Sequence, residues 1–118
     1  MNNFQVEFYE TKDGCTPVED FILSLDVKMQ AKMIGMLELL EEKGNELREP
    51  YSKYLREGIF EIRCKSGNNI TRALYFFFYD RKIIITNVFT KKTQKTPLKE
   101  IRLAKARKKD YIERMDAL

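Results

Sequence analysis

No histidine occurs in this chain. That absence removes serine–histidine–aspartate and cysteine–histidine nucleophilic systems, together with imidazole metal sites. Three prolines and five glycines leave no linker or low-complexity tract. Nor is there a glycine-rich phosphate loop of the P-loop or dinucleotide-binding type. The only cysteines, Cys15 and Cys64, lack metal-ligand spacing and read as free thiols in a reducing cytoplasm. No apolar run approaches the roughly 18 residues that span a bilayer, so no membrane association is expected. Met1-Asn2-Asn3-Phe4 leads straight into alternating sequence, as expected of a chain without a signal peptide. Neither a metal nor a cofactor is expected.

What is present describes one domain over residues 1–118, with 43% hydrophobic and 34% charged residues around a single core. The net charge of +4 conceals a segregation. Residues 1–50 hold 5 Lys/Arg against 11 Asp/Glu, a balance of −6, whereas residues 51–118 hold 17 against 7, a balance of +10. Between Lys91 and Lys109 nine bases face one acid, Glu100. A solvated helix face explains Lys105 to Lys109. Halves of opposite sign point instead to an acidic support layer, a basic working face and a polyanion partner such as nucleic acid.

Alternation predicts a strand over Phe4–Tyr9 and a turn at Asp13-Gly14. Thr16-Pro17-Val18-Glu19 has the form of a capping box, opening a short helix through Phe21, Ile22 and Leu25. Asp26 starts a longer helix with Ala31, Ile34, Leu37 and Leu40 inward, stopped by Gly44-Asn45. Met29, Met33 and Met36 read as core or flank packing. Glu46 to Ser52 reads as a polar connection. Ile59–Lys65 alternates, Ser66–Asn69 turns, and Ile70–Tyr79 is apolar on both faces, as a central strand should be. Asp80-Arg81 turns the chain into Ile83–Phe89, and Thr96-Pro97 starts a last helix with Leu98, Ile101, Ala104, Tyr111, Ile112 and Met115 inward. The order β-α-α-β-β-β-α predicts an α+β fold: a small, mostly antiparallel sheet with an N-terminal helical hairpin and a C-terminal helix.

Chemistry concentrates in Glu61, Arg63, Arg72, Lys91 and Lys92. Glu61 and Arg63 share a strand face through the period of two. Pairing through the Ser66–Asn69 turn brings Arg72 beside Arg63, and the last strand ends nearby at Lys91 and Lys92. Such cations repel unless an anion or a carboxylate lies between them. They suit a phosphodiester and the extra charge of its pentavalent transition state, with Glu61 or a lysine handling protons. Alternatively, Glu61 and Arg63 form a surface ion pair worth less than ~1 kcal/mol.

Leu55-x-x-Gly58-Ile59-Phe60-Glu61-Ile62-Arg63, Arg72-Ala73-Leu74-Tyr75-Phe76 and Phe89-Thr90-Lys91-Lys92-Thr93-Gln94-Lys95-Thr96-Pro97, with Ala104 and Tyr111 beyond, resemble the phage-derived HigB-like branch of the RelE/ParE toxin superfamily. The resemblance covers nearly the whole chain, most specifically residues 55–111. It implies the toxin of a type II toxin–antitoxin system: a metal-independent, ribosome-dependent mRNA endoribonuclease whose substrate's 2′-hydroxyl attacks the adjacent phosphate. Matched by position, it implies that Arg72 holds the scissile phosphate and that Arg63 binds phosphate or stabilises charge. Lys92 would stabilise transition-state charge or protonate the leaving group, and Glu61 falls at a general-base position. Lys65, Lys91, Thr93 and Lys95 would support RNA binding. A tyrosine or histidine near the chain end serves several relatives; here Tyr111 is the only late aromatic, and its helical spacing fits core packing.

The partners implied are a cognate helix-turn-helix antitoxin (HigA-like) and mRNA on the ribosome. Two other functions share the pattern: a ParE-like inhibitor of DNA gyrase, and a non-catalytic RNA-binding module.

Overall fold

The computed structural model describes residues 3–118; Met1 and Asn2, part of the expected leaderless start, lie outside the described residues. Five strands form one sheet, β1 (Gln5–Phe8), β2 (Ser52–Arg56), β3 (Ile59–Ser66), β4 (Asn69–Phe78) and β5 (Lys82–Lys91), in the order β1-β5-β4-β3-β2. Only β1 runs parallel to its neighbour, β5. Helices α1 (Pro17–Ser24) and α2 (Val27–Lys43) cover one face, and α3 (Leu98–Asp116) covers the other. The expected α+β architecture is therefore present, with one strand more than the sequence showed.

The extra strand is β2. Lys53, Tyr54 and Arg56 are exposed on this sheet edge and only Ser52 is buried, so five residues supply no alternation to read. The Glu57-Gly58 turn joins β2 to β3 with both residues at positive φ, the twist a two-residue hairpin requires. β4 and β5 are buried on both faces along most of their length, which explains the apolar stretches Ala73–Phe78 and Ile83–Ile85.

Two cores result. Ile62, Ala73, Tyr75, Ile83 and Ile85 pack under α1 and α2, while Ile59, Leu74, Phe76, Ile84 and Phe89 pack under α3. In α2 the inward face agrees with the expected one at Leu37 and Leu40 and differs from it at Ala31 and Ile34. Met29, Met33, Leu37 and Leu40 are buried, whereas Ala31 is exposed and Ile34 is 46% exposed. Apolar residues surround this helix almost completely, so periodicity left its rotation open, and the flexible methionines fill the sheet-facing side.

The helix boundaries follow local chemistry. Asp26 caps α2 by accepting from Met29 N at 2.8 Å. Gly44 ends α2 at φ +53°, where a Cβ would lie 2.0 Å from the Phe4 ring. Thr16 precedes α1 as expected, but its hydroxyl makes no capping bond, so the capping box does not form. Before α3 the N-cap is Pro97 rather than Thr96, which frees the Thr96 side chain.

Thr86 is an extra residue in β5, opposite the Leu74–Tyr75 step, and this bulge anchors α3. The Thr86 carbonyl accepts from Arg107 Nη1 at 2.8 Å, and Asn87 Nδ2 donates to Glu100 Oε1 at 3.0 Å. Further along, Tyr9 Oη donates to Asp110 Oδ2 at 2.6 Å, and Arg114 pairs with Asp110 at 2.9 Å. With β5 and α3 locked together, the strap between them, residues 92–97, is held at both ends across one end of the sheet.

The candidate phosphate-binding site

Sheet register builds the site. Arg63 on β3 lies opposite Arg72 on β4, and Arg72 lies opposite Phe89 on β5. Glu61 sits two residues before Arg63 on the same face, next to Lys53 of β2. One row further out come Lys65, Ile70 and Lys91. A carboxylate between two guanidiniums is the arrangement that relieves the repulsion expected from the sequence.

Glu61 is buried and accepts on both oxygens. Arg63 Nε donates to Oε1 at 2.5 Å, and Thr96 Oγ1 donates to Oε2. Arg72 Nε is 4.0 Å from Oε2, long for a hydrogen bond but short for a charge contact. The Glu61–Arg63 pair is thus no surface ion pair: the carboxylate has no exposed side-chain area and Arg63 retains 26%. Removing it from water raises both the stakes of the pairing and the cost of breaking it.

Arg72 is fully buried. Its Nη2 donates to the Thr93 carbonyl, its guanidinium lies 5.8 Å from the centre of the Phe89 ring, and Nε and Nη1 have no hydrogen-bond partner. Burial lowers its pKa, the neighbouring Arg63 lowers it further, and Glu61 acts in the opposite sense. Arginine nevertheless stays charged in proteins. Arg72 thus keeps two donor nitrogens unused beside Glu61 and Phe89.

The strap covers this site with neutral acceptors. Arg63 Nη1 donates to Gln94 Oε1 at 3.2 Å and Nη2 donates to the Gln94 carbonyl. With the Thr93 carbonyl on Arg72, three strap oxygens occupy the fork of one arginine and one edge of the other. Residues 92–95 are exposed, so the strap buries little of its own side-chain surface over the pair.

The other expected residues divide around Gln94. Lys92 and Lys65 line a cleft of about 290 Å³ with Asn68, Ile70 and Gln94. Lys92 makes no hydrogen bond or ion pair among the described residues, and Lys91 likewise stands free in solvent. Lys95 lines a hollow with Arg63, Tyr54 and Leu98. Thr93 Oγ1 donates to the Lys95 carbonyl at 3.3 Å. Tyr111 is a core residue, its ring edge-on to Phe76 and Phe78 at 5.7 and 5.0 Å.

Four contributors escaped the sequence reading. Thr96 was explained as a helix start, yet its hydroxyl holds Glu61. Gln94 acts through both its side-chain amide and its backbone carbonyl. Tyr51 and Lys53 border the Glu61–Arg63 cleft from around the overlooked strand. The placement of Thr96 before a proline that itself caps α3 was the one available signal.

Among the described residues no group of three or more His, Cys, Asp or Glu could hold a metal ion, and no helix is long and apolar enough to cross a membrane.

One end of this α+β sheet gathers a buried arginine, Arg72, and a part-exposed one, Arg63, around the buried Glu61 carboxylate. Residues 20–109, about three quarters of the chain, match the family described as Phage derived protein Gp49-like (DUF891), and the chain belongs to that family. The family is associated with RelE-like toxins, and its character is compatible with a toxin. No curated protein matches the chain.

Proposed function

We propose that this chain is the toxin of a type II toxin–antitoxin system, in the HigB-like branch, and that it is a ribosome-dependent mRNA endoribonuclease. One observation carries the reading: Arg72 is buried with Nε and Nη1 unpartnered, beside a second arginine whose fork is filled by neutral strap oxygens. Hydrogen bonds from arginine to an anion are roughly twice as strong as those to a neutral acceptor. A phosphodiester therefore displaces the Thr93 and Gln94 carbonyls and takes their place.

In that complex the RNA 2′-hydroxyl attacks the adjacent phosphorus. The 5′-oxygen departs, leaving a 2′,3′-cyclic phosphate. Arg72 and Arg63 meet the negative charge that builds on the non-bridging oxygens. Glu61 orients Arg63 through Nε and, when the strap lifts and Thr96 releases it, receives the 2′-hydroxyl proton. Lys92, on the moving strap, supplies a proton to the leaving oxygen. Lys65, Lys91, Thr93 and Lys95 line the approach of the RNA. The neutralising partner is a small helix-turn-helix antitoxin.

Induced expression of wild type and Lys92→Ala in bacteria tests the proposal. Wild type should arrest growth and leave messages cut at ribosomes, and Lys92→Ala should do neither. Equal toxicity without ribosome-mapped cleavage would sink it. DNA damage with translation intact would indicate a gyrase inhibitor of the ParE kind. Ribosome binding with unchanged messages would indicate a silent RNA-binding module. A bound RNA should also dissociate steeply as salt rises, because lysine contacts release counterions.

A further inference from the structure

Six tyrosines occur in the chain, and five have a ring or hydroxyl partner among the described residues. Tyr9 bonds Asp110, Tyr75 bonds Ser52, and Tyr54 accepts from Gly58 N while its ring meets Phe60. Tyr79 lies against Phe78, and Tyr111 against Phe76 and Phe78. Tyr51 alone has neither a ring partner nor a hydroxyl partner among the described residues, and it is 52% exposed.

Its position makes that exposure informative. The ring borders a cleft of about 310 Å³ whose other walls include Lys53, Arg63, Gln94 and Glu49. That volume lies at the small end of ligand sites, enough for one nucleotide. Lys53 is exposed and stands next to Glu61 across the β2–β3 ladder, with no ion pair of its own. The cleft is also polarised. Glu49, in the same segment as Tyr51, repels a phosphate from that side, whereas Lys53 and Arg63 attract one to the sheet side, where the Glu61 carboxylate that also lines the cleft is engaged by Arg63 Nε and Thr96 Oγ1.

We propose that this cleft holds one nucleotide of single-stranded RNA, its base stacked on Tyr51 and its phosphate on Lys53 and Arg63. An aromatic face bordering a cleft beside cations stacks on a base free of its own stack, which favours single strands over duplex. Tyr51 thereby positions the chain next to Arg72, and the base it accepts influences where a message is cut. This inference rests on the RNA-binding reading above.

Fluorescence anisotropy with a short labelled single-stranded RNA tests it, using wild type, Tyr51→Ala and Tyr51→Phe. Stacking of one base corresponds to a roughly 5- to 150-fold loss of affinity on truncation to alanine. Tyr51→Ala should show a loss in that range, Tyr51→Phe should bind like wild type, and all three should melt together. Removing one base from the RNA should weaken wild type by a similar factor and leave Tyr51→Ala unaffected. Equal affinity for wild type and Tyr51→Ala overturns the stacking site while leaving the proposed function in place. A loss that phenylalanine does not restore also overturns it, because the hydroxyl rather than the ring would be responsible. Absence of RNA binding by the wild type overturns the stacking site, whereas the proposed function falls only if ribosome-mapped cleavage is absent as well.

Discussion

Arg72→Met isolates what the buried guanidinium is for. The substitution removes an attraction to Glu61 that is worth about 4 kcal/mol at 4.0 Å and an effective dielectric constant of about 20. It also removes a charge-assisted bond to the Thr93 carbonyl, about 1.5–3 kcal/mol net. Against these stand the desolvation of a fully buried cation, several kcal/mol, and two unpartnered nitrogens at about 1–3 kcal/mol each. Repulsion from Arg63 disappears as well. Glu61 is not stranded, since Arg63 Nε and Thr96 Oγ1 still serve its two oxygens. Methionine fills the stem's volume against Phe89. The opposing terms nearly cancel, so stability should stay within about 1 kcal/mol of wild type, a shift of at most about 3–6 °C in Tm. Glu61→Gln should behave differently. It leaves two adjacent cations, one of them buried, without a counter-charge, and should cost about 2–4 kcal/mol, tempered by the exposure of Arg63. Urea and thermal unfolding followed by far-ultraviolet circular dichroism measure both. A loss above about 3 kcal/mol for Arg72→Met would refute the reasoning, because Arg72 would then be a structural keystone rather than a cation held ready for a ligand.

Two further outcomes depend on burial. Burial raises the pKa of Cys64 to about 11 and of Tyr75 to about 12, the latter partly opposed by its hydrogen bond with Ser52. Both groups bind their protons more tightly folded than unfolded. Their contribution is complete below the ordinary thiol and phenol pKa values and is lost as pH climbs toward 11 and then 12. Urea midpoints measured through the alkaline range should fall in those two stages; midpoints flat to pH 12 would contradict the burial of these side chains. Tyr111→Phe should keep full toxicity and lose about 0.5–1.5 kcal/mol, the worth of the hydroxyl's hydrogen bond to Glu7, whereas Tyr111→Ala should lose about 3–5 kcal/mol. A folded but non-toxic Tyr111→Phe would move this tyrosine from the core to the chemistry.

The legible parts of the fold are those where a single physical requirement dominates the local sequence. Ala73–Phe78 and Ile83–Ile85 are apolar at consecutive positions because β4 and β5 are covered on both faces. Glu61, Arg63 and Arg72 could be brought together because side chains alternate and a short turn fixes the register. The illegible parts each lacked such a constraint. β2 is a wet edge with one buried residue, so no pattern marks it. The rotation of α2 was open because Met29 and Met33 compete with Ala31 and Ile34 on equal apolar terms. Backbone carbonyls leave no trace in residue type, so the capture of Arg63 and Arg72 by Gln94 and Thr93 was invisible. Thr96 looked sufficiently explained by Pro97. Lys92 follows β5 in sequence, but the strap carries it to the Lys65 side of Gln94, away from Glu61 in the covered state.

The central claim is that Arg63 and Arg72 hold a phosphodiester during RNA cleavage. Its most direct measurement uses purified protein, translating ribosomes and a defined message, with the new RNA ends mapped and chemically identified. Wild type should cut the message within ribosomes and leave 2′,3′-cyclic phosphate ends, while the folded Arg72→Met variant should leave it whole. Cleavage undiminished in Arg72→Met, or an intact message with wild type, would contradict it.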